Sequence, residues 1–204
     1  MTGFPDQDRM RARKAALRSA ALTRRDALDP VERIEMALQA ADHAEPHLDA
    51  AGVQIIAGFL PIRSEIDIRP LMDRMAAKGA RLCLPAIVDR TTIVFRELVK
   101  GAELVRTGFG TVGPGPEATI LEPDMFLMPL AAFDASGNRI GYGAGHYDRS
   151  VARLHGLGRH PVLVGFAFSV QEVEDVPAEP HDVTLHAVAT EKGFRSFTGK
   201  GNGS

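Results

Sequence analysis

The chain is poor in cysteine: among its 204 residues only Cys83 occurs. An intramolecular disulfide framework is excluded, and Cys83, inside the apolar run Leu82-Cys83-Leu84, reads as a buried strand residue rather than a nucleophile. An excess of charge of one sign is also lacking. Lys and Arg total 24 and Asp and Glu total 26, a formal net charge of −2, which argues against a nucleic-acid partner held by bulk charge. No apolar run approaches the length of a membrane span, so no membrane partner is expected. From Met1 to Arg18 the chain is polar and basic without the apolar segment of a secretory signal, and the cytoplasm is the expected location. Several motifs are missing as well. There is no G-x-x-x-x-G-K-[ST], no H-E-x-x-H, no cysteine cluster and no G-x-S-x-G, which leaves a Walker A loop, a zinc peptidase and a serine hydrolase without support.

What is present fits an ordinary globular protein: 45% of residues are hydrophobic and 25% charged, and the length suits one domain. A single domain over 1–198 with a flexible tail at 199–204 is expected. Arg9 to Leu28 lacks Gly and Pro and reads as a helix. Asp29-Pro30, with Glu32 following, opens a second helix. That helix should carry Val31, Ile34, Leu38 and Ala41 on one apolar face and end near Pro46. Strands are predicted at Val53–Leu60, Arg81–Val88, Thr91–Leu98 (a hairpin through Asp89-Arg90), Met125–Phe133, Pro161–Phe168 and Val183–Thr190. Helices are predicted at Asp67–Lys78 and Tyr147–His155, and the Gly- and Pro-rich stretch 101–123 reads as loop. Strands alternating with helices define an α/β class: a layered, open, largely parallel but mixed sheet flanked by helices, Rossmann-like and three-layered, with helices at the N-terminus.

Two glycine patterns compete as phosphate loops. Gly108 to Gly113 matches G-x-G-x-x-G, but Pro114-Gly115-Pro116 forbids the helix that a dinucleotide fingerprint requires. The second pattern, Arg139 to Arg149, follows a strand and leads into a helix. Gly141, Gly143 and Gly145 let backbone N–H groups approach an anion, and Arg139 and Arg149 suit phosphate oxygens. Asp148 suits Mg²⁺, and Asp182 joins it if the sheet brings the two together. On the first helix, Arg11, Lys14, Arg18 and Arg25 fall within an arc of roughly 60°, a basic stripe able to grip phosphates or carboxylates. Arg13 and Arg24 face elsewhere. Glu65 and Asp67 sit at a predicted strand-to-helix crevice, where caps and ligand contacts are both plausible roles. A zinc reading of His181 with His186 is weak, because in a strand residues five apart point to opposite faces.

Lys14-x-x-Leu17-Arg18, Glu65-Ile66-Asp67, Arg139 to Arg149, and Gln171 followed by His181-Asp182 and Thr190-Glu191 together resemble the 5-formyltetrahydrofolate cyclo-ligase (5,10-methenyltetrahydrofolate synthetase) family. The segment ending Tyr147-Asp148-Arg149 is the specific one. Ala144 and His146 stand where the family often has Gly and Tyr. The resemblance implies ATP-dependent cyclisation of 5-formyltetrahydrofolate, with ADP and phosphate released, and ATP and Mg²⁺ as cofactors. It implies that Lys14, Arg18, Arg139, Ile140, Gly141, Tyr142, Gly143, Ala144, Gly145, His146 and Tyr147 bind the nucleotide, with Arg139, Tyr147 and Arg18 the catalytic candidates. Asp148 and Asp182 would hold the metal. Ile62, Glu65 or Asp67, Tyr142 and Tyr147 would contact folate. The chain is expected to act on these small molecules as a monomer or weak dimer. The alternatives are a non-catalytic folate- or nucleotide-binding regulator and a different ATP-using α/β enzyme.

Overall fold

A computed structural model describes residues 4–49, 54–108, 111–179 and 182–197; the tail expected at 199–204 and His181 of the histidine pair lie outside the described residues. Two helices open the chain, α1 (Phe4–Asp26) and α2 (Pro30–Asp49). Asp29 caps α2, its Oδ1 accepting the N–H of Val31 at 2.8 Å and of Glu32 at 3.2 Å. Two expectations for α2 are overturned. The helix runs through Pro46 instead of ending there, because Ala44 and Leu48, on either side of it, are buried in the core and hold the last turn in place. Its buried face is also rotated. Val31, Ile34 and Leu38 are 65%, 63% and 38% exposed, whereas Ala37, Ala40, Ala41, Ala44 and Leu48 are buried. Alanines bring the helix axis close to its neighbours, and this close fit outweighs the larger apolar side chains left outside.

The rest of the chain runs β1 (Ile55–Ala57), α3 (Arg69–Ala77), β2 (Arg81–Ile87), β3 (Ile93–Glu97), β4 (Leu104–Gly108), β5 (Thr111–Pro114), β6 (Ile120–Leu121), β7 (Met125–Pro129), β8 (Ala132–Phe133), β9 (Arg139–Ile140), α4 (His146–Gly156), β10 (Val162–Phe166), β11 (Ala187–Thr190) and β12 (Gly193–Ser196). The main sheet has the order β12-β11-β10-β7-β1-β2-β3-β6. Its five central strands are parallel, and β12, β3 and β6 add antiparallel edges. The mixed, largely parallel sheet is therefore as the sequence predicts.

Side chains alternate across this sheet with the strand period of two. Met125 and Leu127 face a core with α2 and α3, through Ala44, Leu48, Leu71 and Met75. Phe126 and Met128 face the opposite core, with Val151 and Leu154 of α4. Three layers result. The chain leaves β1 for β2 through α3 and later builds β7 and β10 on the other side of β1, so direction reverses between β1 and β7. Crossovers keep one handedness, so this reversal sends α3 and α4 to opposite faces. It also opens a crevice beyond the strand C-terminal ends.

Two predicted stretches are corrected. Residues 101–123 hold the antiparallel hairpin β4–β5, bulged between Arg106 and Gly108, as well as β6; cross-strand pairing there overrides the glycine content. No helix follows Gly108–Gly113, in keeping with rejection of the dinucleotide reading, although Phe109 and Gly110 are outside the described residues. The last predicted strand begins only at Ala187, and β12 follows it through the turn at Glu191-Lys192. His186 thus precedes the strand, and its Nδ1 accepts the N–H of Leu163 at 3.0 Å.

The α2 rotation is testable by chemical denaturation. Leu48→Ala should cost about 3 kcal/mol, the usual range for emptying a buried leucine site. Val31→Ser should change stability by less than about 0.5 kcal/mol.

Candidate functional site

A cavity of about 600 Å³ opens in the crevice at the ends of β1, β2 and β7. One wall is apolar, built by Phe59, Leu84, Pro85 and Ile93. The other is polar and comes from α1, the glycine segment and the residues around Glu179 and Asp182. Lys14, Arg18, Ile62, Glu65, Asp182 and the whole run Arg139 to Asp148 line this one space. Of the residues singled out for the site, Asp67 is the exception. It lies in a neighbouring groove, where its carboxylate is gripped by the guanidinium of Arg69 at 2.6–3.1 Å. Glu65 lines the main cavity as well as this groove.

The glycine segment is anchored at its start by Asp134, which is only 3% exposed. Its Oδ1 accepts the N–H groups of Ser136 and Asn138, and its Oδ2 accepts Asn138 Nδ2 and the N–H of Val176, all at 2.9–3.0 Å. The turn so fixed delivers Arg139 and the loop to the cavity. Gly143 (φ +99°) and Gly145 (φ +63°) adopt left-handed conformations, and a Cβ at Gly145 would lie 2.9 Å from Arg149 Nη1. Gly145 precedes α4 without a side-chain cap, so the opening amides of this helix remain donors beside the cavity. Arg149 also lines the cavity and donates to the carbonyls of Thr91 at 2.7 Å and Ala144 at 2.6 Å. It ties the loop to the β2–β3 turn.

Charges in the polar wall are paired. Lys14 Nζ reaches Asp182 at 2.6 Å and Glu179 at 2.7 Å. Burial works to lower the Lys14 pKa, but these two hydrogen-bonded carboxylates outweigh it and the net direction is up. Arg139 donates to Asp148 at 2.8 Å, and the same Asp148 oxygen accepts the N–H of Val183 at 3.2 Å. The Nε of Arg139 is buried without a hydrogen-bond partner among the described residues. Arg18 donates to the Gly141 carbonyl at 2.8 Å and so clips α1 to the loop.

The basic stripe divides on folding. Lys14 and Arg18 enter the cavity, while Arg11 stays exposed. Arg25 is buried, 3% exposed, and grips protein groups instead of being left for a ligand. It donates to Ser64 Oγ at 3.0 Å and to the Tyr142 hydroxyl at 2.6 Å. Ser64 in turn donates to Asp26. Tyr142 hydrogen-bonds Glu65, whose Oε2 also accepts the N–H of Ile62 at 2.9 Å. Arg25, Tyr142 and Glu65 therefore form one relay joining α1, the glycine loop and the turn after β1. Burial raises the Glu65 pKa, opposed by Tyr142, the Ile62 amide and the charge of Arg25. Tyr147 packs edge-on against Phe126, and burial, reinforced by Glu65, raises its hydroxyl pKa so that it stays a neutral donor. Residue patterns missed Glu179, Asp134 and the inward role of Arg25. Only Arg25 carried a signal, its place on the helix face of Lys14 and Arg18.

This fold and cavity define an α/β protein that takes small ligands at a topological switch point. The model of the 5-formyltetrahydrofolate cyclo-ligase family matches residues 10–191, and the chain belongs to that family. The 5-formyltetrahydrofolate cyclo-ligase of Escherichia coli (strain K12) is 32% identical over 82% of this chain and 94% of its own length. An Aquifex aeolicus 5,10-methenyltetrahydrofolate synthetase structure is 27% identical, superposes with a TM-score of 0.78, and is covered over 96% of its length and 94% of this chain. A Mycoplasma pneumoniae 5,10-methenyltetrahydrofolate synthetase is 25% identical, with a TM-score of 0.71 over 98% of its length and 87% of this chain.

Two predictions arise from the relay. Arg25→Gln and Tyr142→Phe should each destabilise the fold, Arg25→Gln by about 2 kcal/mol because buried partners lose their donor. The double variant should cost less than the sum, since the two residues share one bond. Additive losses in urea titrations would show the pair to be uncoupled. Glu65 gives a pH signature. Its folded pKa is raised, so its stabilising contribution is complete below the unfolded glutamate pKa and is lost as pH rises through the folded value. The stability difference between wild type and Glu65→Gln should shift against wild type as pH climbs from the ordinary glutamate range, then level off. The measurement is the urea midpoint of both proteins across a pH series.

Proposed function

We propose that the chain catalyses ATP-dependent cyclisation of 5-formyltetrahydrofolate to 5,10-methenyltetrahydrofolate, acting in the cytoplasm. The observation carrying this reading is the meeting, in one cavity, of cations and a glycine loop on one side with an apolar wall and a half-buried acid on the other. The first half suits a triphosphate and the second a planar heterocycle. Lys14, Arg18 and the Gly141–Tyr147 amides take the phosphates, and Arg139 meets the transferring group. Ile62, Glu65 and Tyr142 orient the folate, with Phe59 and Leu84 behind its rings.

The formyl oxygen is a poor leaving group until it is phosphorylated. It attacks the γ-phosphorus and the bond to ADP breaks. The N10 nitrogen then bonds to the formyl carbon and gives up its proton, and phosphate departs with the former formyl oxygen. Phosphoryl transfer depends mostly on positioning and charge neutralisation, which Lys14, Arg18 and Arg139 supply without a protein nucleophile. Tyr147, kept protonated by burial, serves as a neutral donor near the reacting groups.

Magnesium fits this donor set. Asp148, Asp182 and Glu179 all line the cavity and offer hard oxygen ligands. Among the described residues no group of three or more His, Cys, Asp or Glu could hold a metal by themselves. Mg²⁺ characteristically takes one or two carboxylates and completes its shell with phosphates and water. Asp148 and Asp182 would hold it, and when bound it would neutralise charge on the phosphates.

The test follows methenyl absorbance and phosphate release with Mg²⁺-ATP and 5-formyltetrahydrofolate. Stoichiometric appearance of both is expected; a folded, metal-replete sample with no turnover above blank refutes the reading and favours a binding-only role. Arg18→Glu should raise KM for ATP by about tenfold or more and KM for folate much less, since it removes and reverses a phosphate contact. The opposite order would move Arg18 to the folate side.

A further inference from the structure

Two histidines that the cyclo-ligase reading leaves without a task stand together at the far end of α4. Residues of its first two turns, between His146 and Ala152, line the main cavity. His155 lies in its last turn, and His160 just beyond the turn that follows. Both are exposed. Their ring centroids are 5.1 Å apart and their planes are tilted by 37°. That is neither the offset stack nor the edge-to-face arrangement of a packed aromatic pair. Neither imidazole makes a hydrogen bond or ion pair among the described residues.

The backbone holds the pair in place. Leu154 is buried and anchors the end of α4. Gly158 takes a left-handed conformation (φ +74°) that closes the helix. Its N–H donates to the His155 carbonyl at 2.9 Å, and the N–H of Arg159 donates to the Leu154 carbonyl at 2.9 Å. Pro161 disfavours helical backbone at His160, and Val162 N–H donates to the Asp124 carbonyl at 2.9 Å where β10 begins. His160 is so brought back beside His155. The two neighbouring arginines are engaged elsewhere: Arg153 donates to Glu122 Oε2 at 2.6 Å and Arg159 to the Glu122 carbonyl at 3.0 Å. A third imidazole, His186, has its pKa lowered by burial and then by His155. Its Nδ1 accepts the N–H of Leu163 at 3.0 Å, which places its proton on Nε2 and takes it out of contention as a ligand.

We propose that His155 and His160 form a binding site for a late first-row divalent metal ion, of the class of Zn²⁺ and Cu²⁺, separate from the main cavity and independent of the cyclo-ligase reading. Imidazole nitrogen suits these ions, whereas Mg²⁺ prefers oxygen. With metal–nitrogen bonds of about 2.0–2.1 Å, two imidazoles on one tetrahedral ion have centroids about 5 Å apart, the separation this turn already provides. The ring nitrogens need no release from a protein partner, and the C-terminal end of a helix favours a cation. Among the described residues no third His, Cys, Asp or Glu makes up a three-ligand group, so water fills the remaining positions. The site therefore holds its ion exchangeably, less tightly than a closed structural zinc site.

The experiment titrates the untagged chain with Zn²⁺ by calorimetry in excess Mg²⁺, which occupies oxygen ligands, and follows Cu²⁺ binding by electron paramagnetic resonance. His155→Gln and His160→Gln should each weaken Zn²⁺ binding by about tenfold or more, since even the partners of metal ligands are commonly worth that much. Both side chains are exposed, so the variants should keep the wild-type urea midpoint. The Cu²⁺ spectrum should carry nitrogen coupling from two imidazoles in wild type and from one in each variant. Zn²⁺ affinity unchanged in either variant, or a copper spectrum that loses no nitrogen, overturns the shared site. Wild type supplies a second arm should a variant fold poorly. Substoichiometric Cu²⁺ should broaden the ring-proton resonances of His155 and His160 together, before those of the other histidines; broadening of any other histidine first refutes the proposal.

Discussion

Charge compensation in a partly dry crevice is the constraint on which the site depends. Cations brought out of water need partners, and here each partner lies on a different segment. Lys14 of α1 is held by Glu179 and Asp182. Arg139, with its side chain 5% exposed, is held by Asp148 nine residues on. Arg25 is shared by Ser64 and Tyr142. Every pair joins segments distant in sequence or the two ends of the glycine loop, so satisfying the charges also assembles the site. Such pairs add little net stability when well matched, and breaking one is costly. Their value lies in geometry.

The same pairing suggests how the site changes partners. Lys14 and Arg139 are occupied by carboxylates that are themselves suited to Mg²⁺. In the proposed function, a magnesium nucleotide would bring anionic oxygens for the cations and a cation for the acids, so both halves of each pair would be re-satisfied at once and no ion left stranded. Arg139 Nε, buried and unpartnered among the described residues, would have a donor to spare in that exchange.

The relay through Arg25 links two sides of the cavity: Tyr142 belongs to the loop proposed to take the phosphates, and Glu65 to the turn beside the space proposed for folate. One buried guanidinium and one phenol hold them in register.

Much of this was legible in the sequence wherever the cause is local. The strand–glycine loop–helix order at Met125 to Gly156, the cap at Asp29 and the mixed sheet follow from periodicity, turn chemistry and capping, which act over a few residues. The segments Lys14-x-x-Leu17-Arg18 and Arg139 to Arg149 also identified the wall of the site. Long-range packing decided the rest. Whether Val31 or Ala37 faced inward depended on how near α2 lies to the sheet, and whether 101–123 paired depended on a partner strand. Glu65 was separated from Asp67, and Arg25 from Arg11, by which neighbours the folded chain brought within hydrogen-bond reach. Helical and strand periods tell which residues share a face; only tertiary contact tells what that face meets.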